Sequence, residues 1–164
     1  AGDIAYRGFE FDGIYTLTNT VTMVGSVGYV HSKYENLISD LTGDFIIDAL
    51  DYALEIPRAA PLTYSLGFNI DGNMGSWRSI TRISYYHRDK SYYNENNQGY
   101  INKQDILNFG YDIYSPDGKI NIGIYGKNLS NEVKHGGDTN LSFGGTFAPL
   151  AKGKIVGAEV VYKF

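Results

Sequence analysis

Residues 62–70 read LTYSLGFNI, and the alternation there is unbroken. Leu62, Tyr64, Leu66, Phe68 and Ile70 alternate with Thr63, Ser65, Gly67 and Asn69. Successive side chains of a strand point to opposite faces, so one face here is wholly apolar and the other wholly polar or small. The same period recurs outward in both directions. Phe9, Phe11 and Tyr15 oppose Glu10 and Asp12 in 8–15, and Val21, Met23, Val27 and Tyr29 oppose Thr22, Ser26 and Gly28 in 21–32. In 77–88, Ile83 and Tyr85 oppose Arg78, Arg82, Ser84 and Arg88, with Ile80 and Thr81 out of phase. Leu107, Phe109, Tyr111 and Ile113 oppose Asn108, Gly110 and Asp112 in 104–114. Ile120, Ile122 and Ile124 oppose Asn121, Gly123 and Tyr125 in 119–127. The last segment, 152–164, sets Val156, Ala158, Val160, Tyr162 and Phe164 against Gly157, Glu159, Val161 and Lys163.

These seven runs are joined by connections that alternate in length. TLTNT, DGNMGS and SPDGK are short turns rich in Gly, Asn and Pro, whereas 35–61, 89–103 and 128–153 are long. In an up-and-down meander, all tight turns then lie at one end and all long loops at the other. That asymmetry is the one transmembrane barrels show. A soluble barrel or sandwich would turn its polar face outward. The polar positions here are Gly, Ser, Asn, Thr, Asp and a few Arg, not the Lys/Glu coat of a water-facing sheet. Aromatic residues near the strand ends (Tyr6, Tyr15, Tyr29, Trp77, Tyr85, Tyr162, Phe164) sit where interfacial girdles belong. The expected fold is therefore all-β, an antiparallel up-and-down transmembrane barrel wall.

Composition narrows the functions. With 164 residues the chain is one domain or part of one. A net charge of -4 argues against a nucleic-acid partner. There is no cysteine, which removes disulfides and thiolate metal sites. No apolar run reaches about 18 residues, so no helix crosses a membrane. The chain starts without Met or signal peptide and already reads as strand, the look of a mature chain or a piece of a longer one.

Four stretches, in order, resemble the late barrel strands of TonB-dependent outer-membrane receptors. AYRGFEFDGIYTLTNTVTMVGSVGYVHSKYEN (5–36) is similar to a strand with an R-G-x-E motif, a tight turn and a Gly/Tyr-rich return. IPRAAPLTYSLGFNI (56–70) looks like the next strand, GIYGKNLSNE (123–132) like the penultimate one, and FGGTFAPLAKGKIVGAEVVYKF (143–164) like the last loop and closing strand. The resemblance covers nearly the whole chain. It implies the C-terminal part of a barrel of about 22 strands, whose plug domain and TonB box are absent here, with residues 1–164 all in the barrel domain. It implies a Gram-negative outer-membrane location and import of a scarce ligand: a ferric siderophore, vitamin or oligosaccharide. The partners it implies are outer-membrane lipid, the barrel-assembly machinery, the TonB energy-coupling complex acting through the plug, and the remaining barrel strands. Val156, Ala158, Val160, Tyr162 and Phe164 are similar to the terminal signal that the assembly machinery reads. An eighth strand within NLSFGGTFA (140–148) aligns better with the last loop. The alternative is a complete small barrel serving as adhesin, structural protein or lipid-modifying enzyme.

Chemistry is sparse. His31, His87 and His135 lie near or in long loops without metal-ligand spacing, so no metal is expected. No nucleophile elbow, phosphate loop or calcium loop occurs, so neither catalytic residues nor a cofactor is expected. The richest stretch is SYYHRDKSYYNENNQGY (84–100), where aromatic faces mix with amide and cationic donors suited to a flat polar ligand. Tyr86, His87, Arg88, Tyr92, Tyr93 and Tyr100 are the ligand-binding candidates. Arg78, Arg82, Glu10, Asp12, Asp112, Glu159 and Lys163 face the lumen and are expected to pair with one another or with a plug. Residues 37–56 break the alternation, with a loosely helical spacing of Phe45, Ile46, Ala49, Leu50, Ala53 and Leu54 that suits either a short amphipathic helix over the barrel mouth or a strand extension above the membrane.

Overall fold

A computed structural model describes residues 2–134, 139–140 and 146–164. The main sheet has seven antiparallel strands: β1 (Asp3–Thr16), β2 (Val21–Asn36), β3 (Leu62–Met74), β4 (Trp77–Arg88), β7 (Gln104–Tyr114), β8 (Ile120–Lys127) and β11 (Ile155–Tyr162). Each pairs with its chain neighbour in the order β1-β2-β3-β4-β7-β8-β11. Two small hairpins stand apart from this wall: β5 (Ser91–Tyr92) with β6 (Tyr100–Ile101), and β9 (Thr139–Asn140) with β10 (Thr146–Phe147). NLSFGGTFA thus supplies no wall strand among its described residues.

The register aligns the apolar faces of all seven strands. Phe11 lies opposite Val27, Met23 opposite Phe68, Phe68 opposite Ile83, Ile83 opposite Phe109, Ile113 opposite Ile122, and Ile122 opposite Val160. A slip of one residue at any pairing would turn a polar row into this surface. The polar row lies along a trough of about 600 Å³ that includes Ser65, Asn69, Arg82, Ser84, Asn108 and Asp112. On the polar face Asp112 is buried, whereas Val156 and Val160 on the other face stand open, so the polar face is concave and the apolar face convex.

No described residue covers that convex face. Phe11, Val156 and Val160 are about 70% exposed (68%, 71% and 70%). The only buried apolar side chains among the described residues are Tyr34, Leu37 and Ile56, and they sit under a loop. A water-soluble domain of this length would bury its apolar sheet face. β1 to β4 and β7 run 11 to 16 residues, enough to cross a hydrocarbon layer, which takes about 9–11. β8 and β11 are shorter, but Lys163 N–H donates to Lys119 O at 2.9 Å and continues their ladder beyond Tyr162.

The turns are shorter than the sequence suggests. DGNMGS is mostly strand: β3 runs to Met74, and only Gly75 and Ser76 form the loop, with Gly75 at φ 63. The physical reason is cross-strand pairing, since Asp71 reaches the Arg78 guanidinium at 2.5 Å across the hairpin. In SPDGK, Gly118 takes φ 68 and Ser115 Oγ accepts from Ile120 N–H at 2.9 Å.

Two expectations are corrected. Tyr6 is not on the apolar face, because its register partner is Ser32 and it shares parity with Gly8 and Glu10 on the concave side. Residues 37–56 do not form an amphipathic helix. One turn, α1 (Ala49–Tyr52), is capped by Asp48, while Phe45, Ile46 and Leu50 are exposed. What orders this segment is a buried anion. Asp51 is fully buried and accepts from Leu41 N–H at 2.7 Å, Thr42 N–H at 2.9 Å and Asp48 N–H at 3.0 Å. Those backbone donors, Asp48 first, lower its pKa to about 2.

Candidate functional site

Two regions carry chemistry: the concave wall and the mouth, where the long loops gather. On the wall, Arg82 of β4 and Asp112 of β7 form an ion pair, with the Asp112 side chain nearly buried. Gly123 of β8 gives the pair its room, since a Cβ there would stand 2.6 Å from Asp112 Oδ1. Arg78 pairs with Asp71 at 2.5 Å nearer the turns. Glu10, Asp12, Glu159 and Lys163, the other lumen-facing charges, make no ion pair among the described residues. Polar ladders fill the rest: Ser26 Oγ lies 2.7 Å from Ser65 Oγ, and Asn108 Nδ2 donates to Ser84 Oγ at 3.2 Å.

At the mouth, the β2–β3 loop is tied to the β4–β7 loop. Arg58 N–H donates to Tyr92 O at 2.7 Å, and Asn97 both accepts from Glu55 N–H and donates to Glu55 O at 2.8 Å. The Arg58 guanidinium lies 4.8 Å from the Tyr93 ring centre. Beside them a pocket of about 540 Å³ is lined by Asp40, Arg58, Tyr93, Asn94, Glu95 and Asn96. The Lys90 ammonium sits between two rings, 4.4 Å from Tyr92 and 4.8 Å from Tyr100, which pair across β5 and β6.

The six candidate ligand residues fall into separate places. Tyr92, Tyr93 and Tyr100 lie in the mouth. Tyr86 and Arg88 share the concave face of β4, and Arg88 Nη2 donates to the buried Ser91 Oγ at 2.9 Å. His87 is on the opposite, convex face. Its ring stacks on Tyr64 at 4.7 Å, Nδ1 lies 2.6 Å from Asp105 Oδ1, and Nε2 lies 3.1 Å from Asp89 Oδ1. Asp105 also accepts from Tyr85 Oη at 2.6 Å and Lys103 Nζ at 3.0 Å. That hydrogen bond to Asp105 raises the Lys103 pKa. The odd–even rule separates His87 from Tyr86 and Arg88; run as a cluster in sequence, they stand back to back.

His31 is exposed on the convex side opposite Arg7, and His135 lies outside the described residues. No group of three or more His, Cys, Asp or Glu among the described residues could hold a metal ion. Sequence reasoning passed over Arg58 and Asn97, which belong to different loops and meet only in space. It also passed over Asp71, which strand pairing with Arg78 would have exposed had β3 been extended to the turn.

The closing strand has the expected alternation. Val156, Ala158, Val160 and Tyr162 lie opposite Gly126, Ile124, Ile122 and Ile120 on the convex face. Phe164 follows them, its ring edge-on to Tyr162 at 5.1 Å and fully exposed.

No family model and no curated protein matches the sequence. Solved structures do match. The ferric yersiniabactin uptake receptor FyuA from Yersinia pestis superposes with a TM-score of 0.80 at 15% identity, over 100% of this chain and 24% of that one. The fold is a section of barrel wall. The ferric preacinetobactin receptor BauA from Acinetobacter baumannii gives a TM-score of 0.76 at 15% identity, over 99% of this chain and 22% of that one. The siderophore receptor PiuA from the same organism gives 0.74 at 15% identity, over 98% and 22%. This chain thus spans about a quarter of each structure's length, and at such identity the likeness is one of fold.

Proposed function

We propose that this chain is the C-terminal part of the barrel of a TonB-dependent outer-membrane receptor, which imports a scarce ligand such as a ferric siderophore, vitamin or oligosaccharide. One observation carries the reading: an apolar convex face with no described residue over it, backed by a polar concave wall. Such a sheet is at home only where hydrocarbon meets one side and water the other. The four ordered motifs and the siderophore receptors among the fold neighbours support the class of ligand. β1 and β11 each have one unpaired edge, so further strands close the barrel. The plug they surround carries the contact to TonB, and the free carboxylates Glu10, Asp12 and Glu159 face it.

In this reading Tyr92, Tyr93 and Tyr100, with Lys90 and Arg58, form the mouth through which ligand enters, and Tyr86 and Arg88 line the passage below. His87 belongs to the collar at the membrane surface. The strip Val156, Ala158, Val160, Tyr162 and Phe164 is the signal for the barrel-assembly machinery. The test is uptake. Cells lacking the parent gene are starved of iron and offered single siderophores, cobalamin or glycans, with the parent gene restored on a plasmid. Restored uptake of one ligand, weakened by Tyr93→Ala, is the expected result. If the parent restores the uptake of none, the transport reading fails.

A further inference from the structure

The convex face holds two polar groups above its aromatic row, and they differ in kind. Tyr29, Tyr64 and Tyr85 mark the row on β2, β3 and β4, with Tyr29 two residues short of His31 and Tyr85 two short of His87. Level with Tyr64 and one step beyond Tyr85, His87 is paired with Asp105 and Asp89, and Lys103 with Asp105. Above Phe9 and Tyr29, whose ring centres are 5.8 Å apart, the next convex residues are Arg7 on β1 and its register partner His31 on β2. Lys33 follows His31 on the same face, opposite Ala5. Arg7 and His31 are exposed, and neither has an ion-pair or hydrogen-bond partner among the described residues. Lys33 has only Glu35, at 3.5 Å.

Directly opposed cross-strand residues have Cβ atoms about 4.5–5.5 Å apart, and same-face neighbours along a strand about 7 Å. Arg7, His31 and Lys33 therefore make one compact triangle of an unpaired guanidinium, an imidazole and an ammonium shared with Glu35, resting on a pair of rings and facing away from the lumen. A soluble ligand entering the mouth does not pass this surface. An acyl chain lying against Phe9 and Phe11 would set its head group beside it.

We propose that Arg7, His31 and Lys33 form a docking site for the phosphate of an anionic membrane lipid, with the Phe9–Tyr29 pair supporting the adjoining acyl chain. The proposal rests on the membrane reading of the convex face but not on transport. Arg7 supplies the forked donor, Lys33 a point charge, and the rings fix the depth at which the head group sits. A cation near an anionic lipid surface is worth about fivefold in affinity at low salt.

The experiment uses the full parent barrel in dodecyl maltoside, with lipid occupancy read by native mass spectrometry. Dioleoyl phosphatidylglycerol is the probe and dioleoyl phosphatidylcholine the zwitterionic control. Phosphatidylglycerol is expected to bind preferentially. Arg7→Gln with Lys33→Gln is expected to weaken that binding by about 25-fold, and Arg7→Lys to keep it within about threefold. Raising salt from 0.05 to 0.5 M should weaken binding in the wild type and much less in the double variant. Equal occupancy by the two lipids, or no loss in the double variant, overturns the proposal. So does displacement of phosphatidylglycerol by equimolar inorganic phosphate, which would make the triangle a site for free anions. A parent that binds phosphatidylglycerol through these residues yet transports nothing would refute the transport reading and leave this one standing.

Discussion

Single residues hold the irregular parts of this molecule, and Asn128 is the clearest case. It sits at φ 50, a left-handed conformation that Asn tolerates better than most residues. Its Nδ2 donates to Glu132 O at 3.2 Å and Lys152 O at 2.9 Å, while Oδ1 accepts from Glu132 N–H at 2.9 Å. The KNLSNE motif is thus a corner that ties the end of β8 to the approach of β11. Asn128→Ala is expected to cost about 2–3 kcal/mol, at about 1 kcal/mol per bond lost in a buried setting, measured by urea unfolding of the parent barrel in lipid. Asp51 plays a similar part in the β2–β3 loop. Its carboxyl is held at about 2, below the ordinary 3.8, so the bonded carboxylate stabilises the loop above about pH 4. That contribution is lost as pH falls toward 2. Hydrogen exchange at Leu41, Thr42 and Asp48, corrected for intrinsic rates, should stay slow from pH 7 to 4 and quicken below it. In Asp51→Ala those amides should already exchange fast at pH 6.

At the scale of the element, each strand separates two solvents by parity alone. Ile122 and Asn121 are chain neighbours on β8, one convex and one concave. Ile122→Lys should destabilise the membrane-embedded barrel by about 2–4 kcal/mol, and Asn121→Lys, beside Asp112 and Glu159, by under about 1 kcal/mol. Equal costs, by the same unfolding measurement, would contradict the assignment of faces. The last strand has a second task in the proposed function. Deleting Phe164 removes the outermost aromatic of the Tyr162–Phe164 pair while leaving the β8–β11 ladder intact. The expected result is a fall in the outer-membrane yield of the parent, read by fractionation, with total synthesis unchanged.

For the molecule as a whole, the sheet is open. β1 and β11 expose a row of backbone donors and acceptors each, and in hydrocarbon such groups are costly. The 164 residues expressed alone should therefore associate through these edges in detergent, whereas the closed barrel proposed for the parent should stay monomeric. Light scattering on both distinguishes the outcomes. The loops make a second point at this scale. Arg58 and Asn97 join loops that are far apart in the chain, and the small cluster of Tyr34, Leu37 and Ile56 lies beneath that joint. The mouth thus holds the one buried apolar cluster among the described residues.

Strand number, strand order and which residues share a face were legible from period and turn spacing, because side-chain alternation has a period of two and tight turns force antiparallel neighbours. Residues 77–88 and 104–114 were bounded as strands from the sequence and end at those residues in the fold. Tyr6 is the exception: the run before Gly8 has no clean alternation of its own, and it is the continuity of β1 from Asp3 to Thr16 that puts Tyr6 on the side of Gly8 and Glu10. The apolar residues of 37–56 suggested a helix, but a buried Asp51 gathering backbone donors gave the loop its shape, and such a knot leaves no periodic trace. What the tertiary structure alone decided was curvature and company. An alternating pattern is the same whether its polar face bends inward or outward, so only the closing of the wall could make that face concave. The separation of His87 from Tyr86 and Arg88 follows from parity, yet the meeting of Arg58 with Tyr93 and the exposed triangle of Arg7, His31 and Lys33 needed the register between strands and the folding of loops, which local chemistry does not encode.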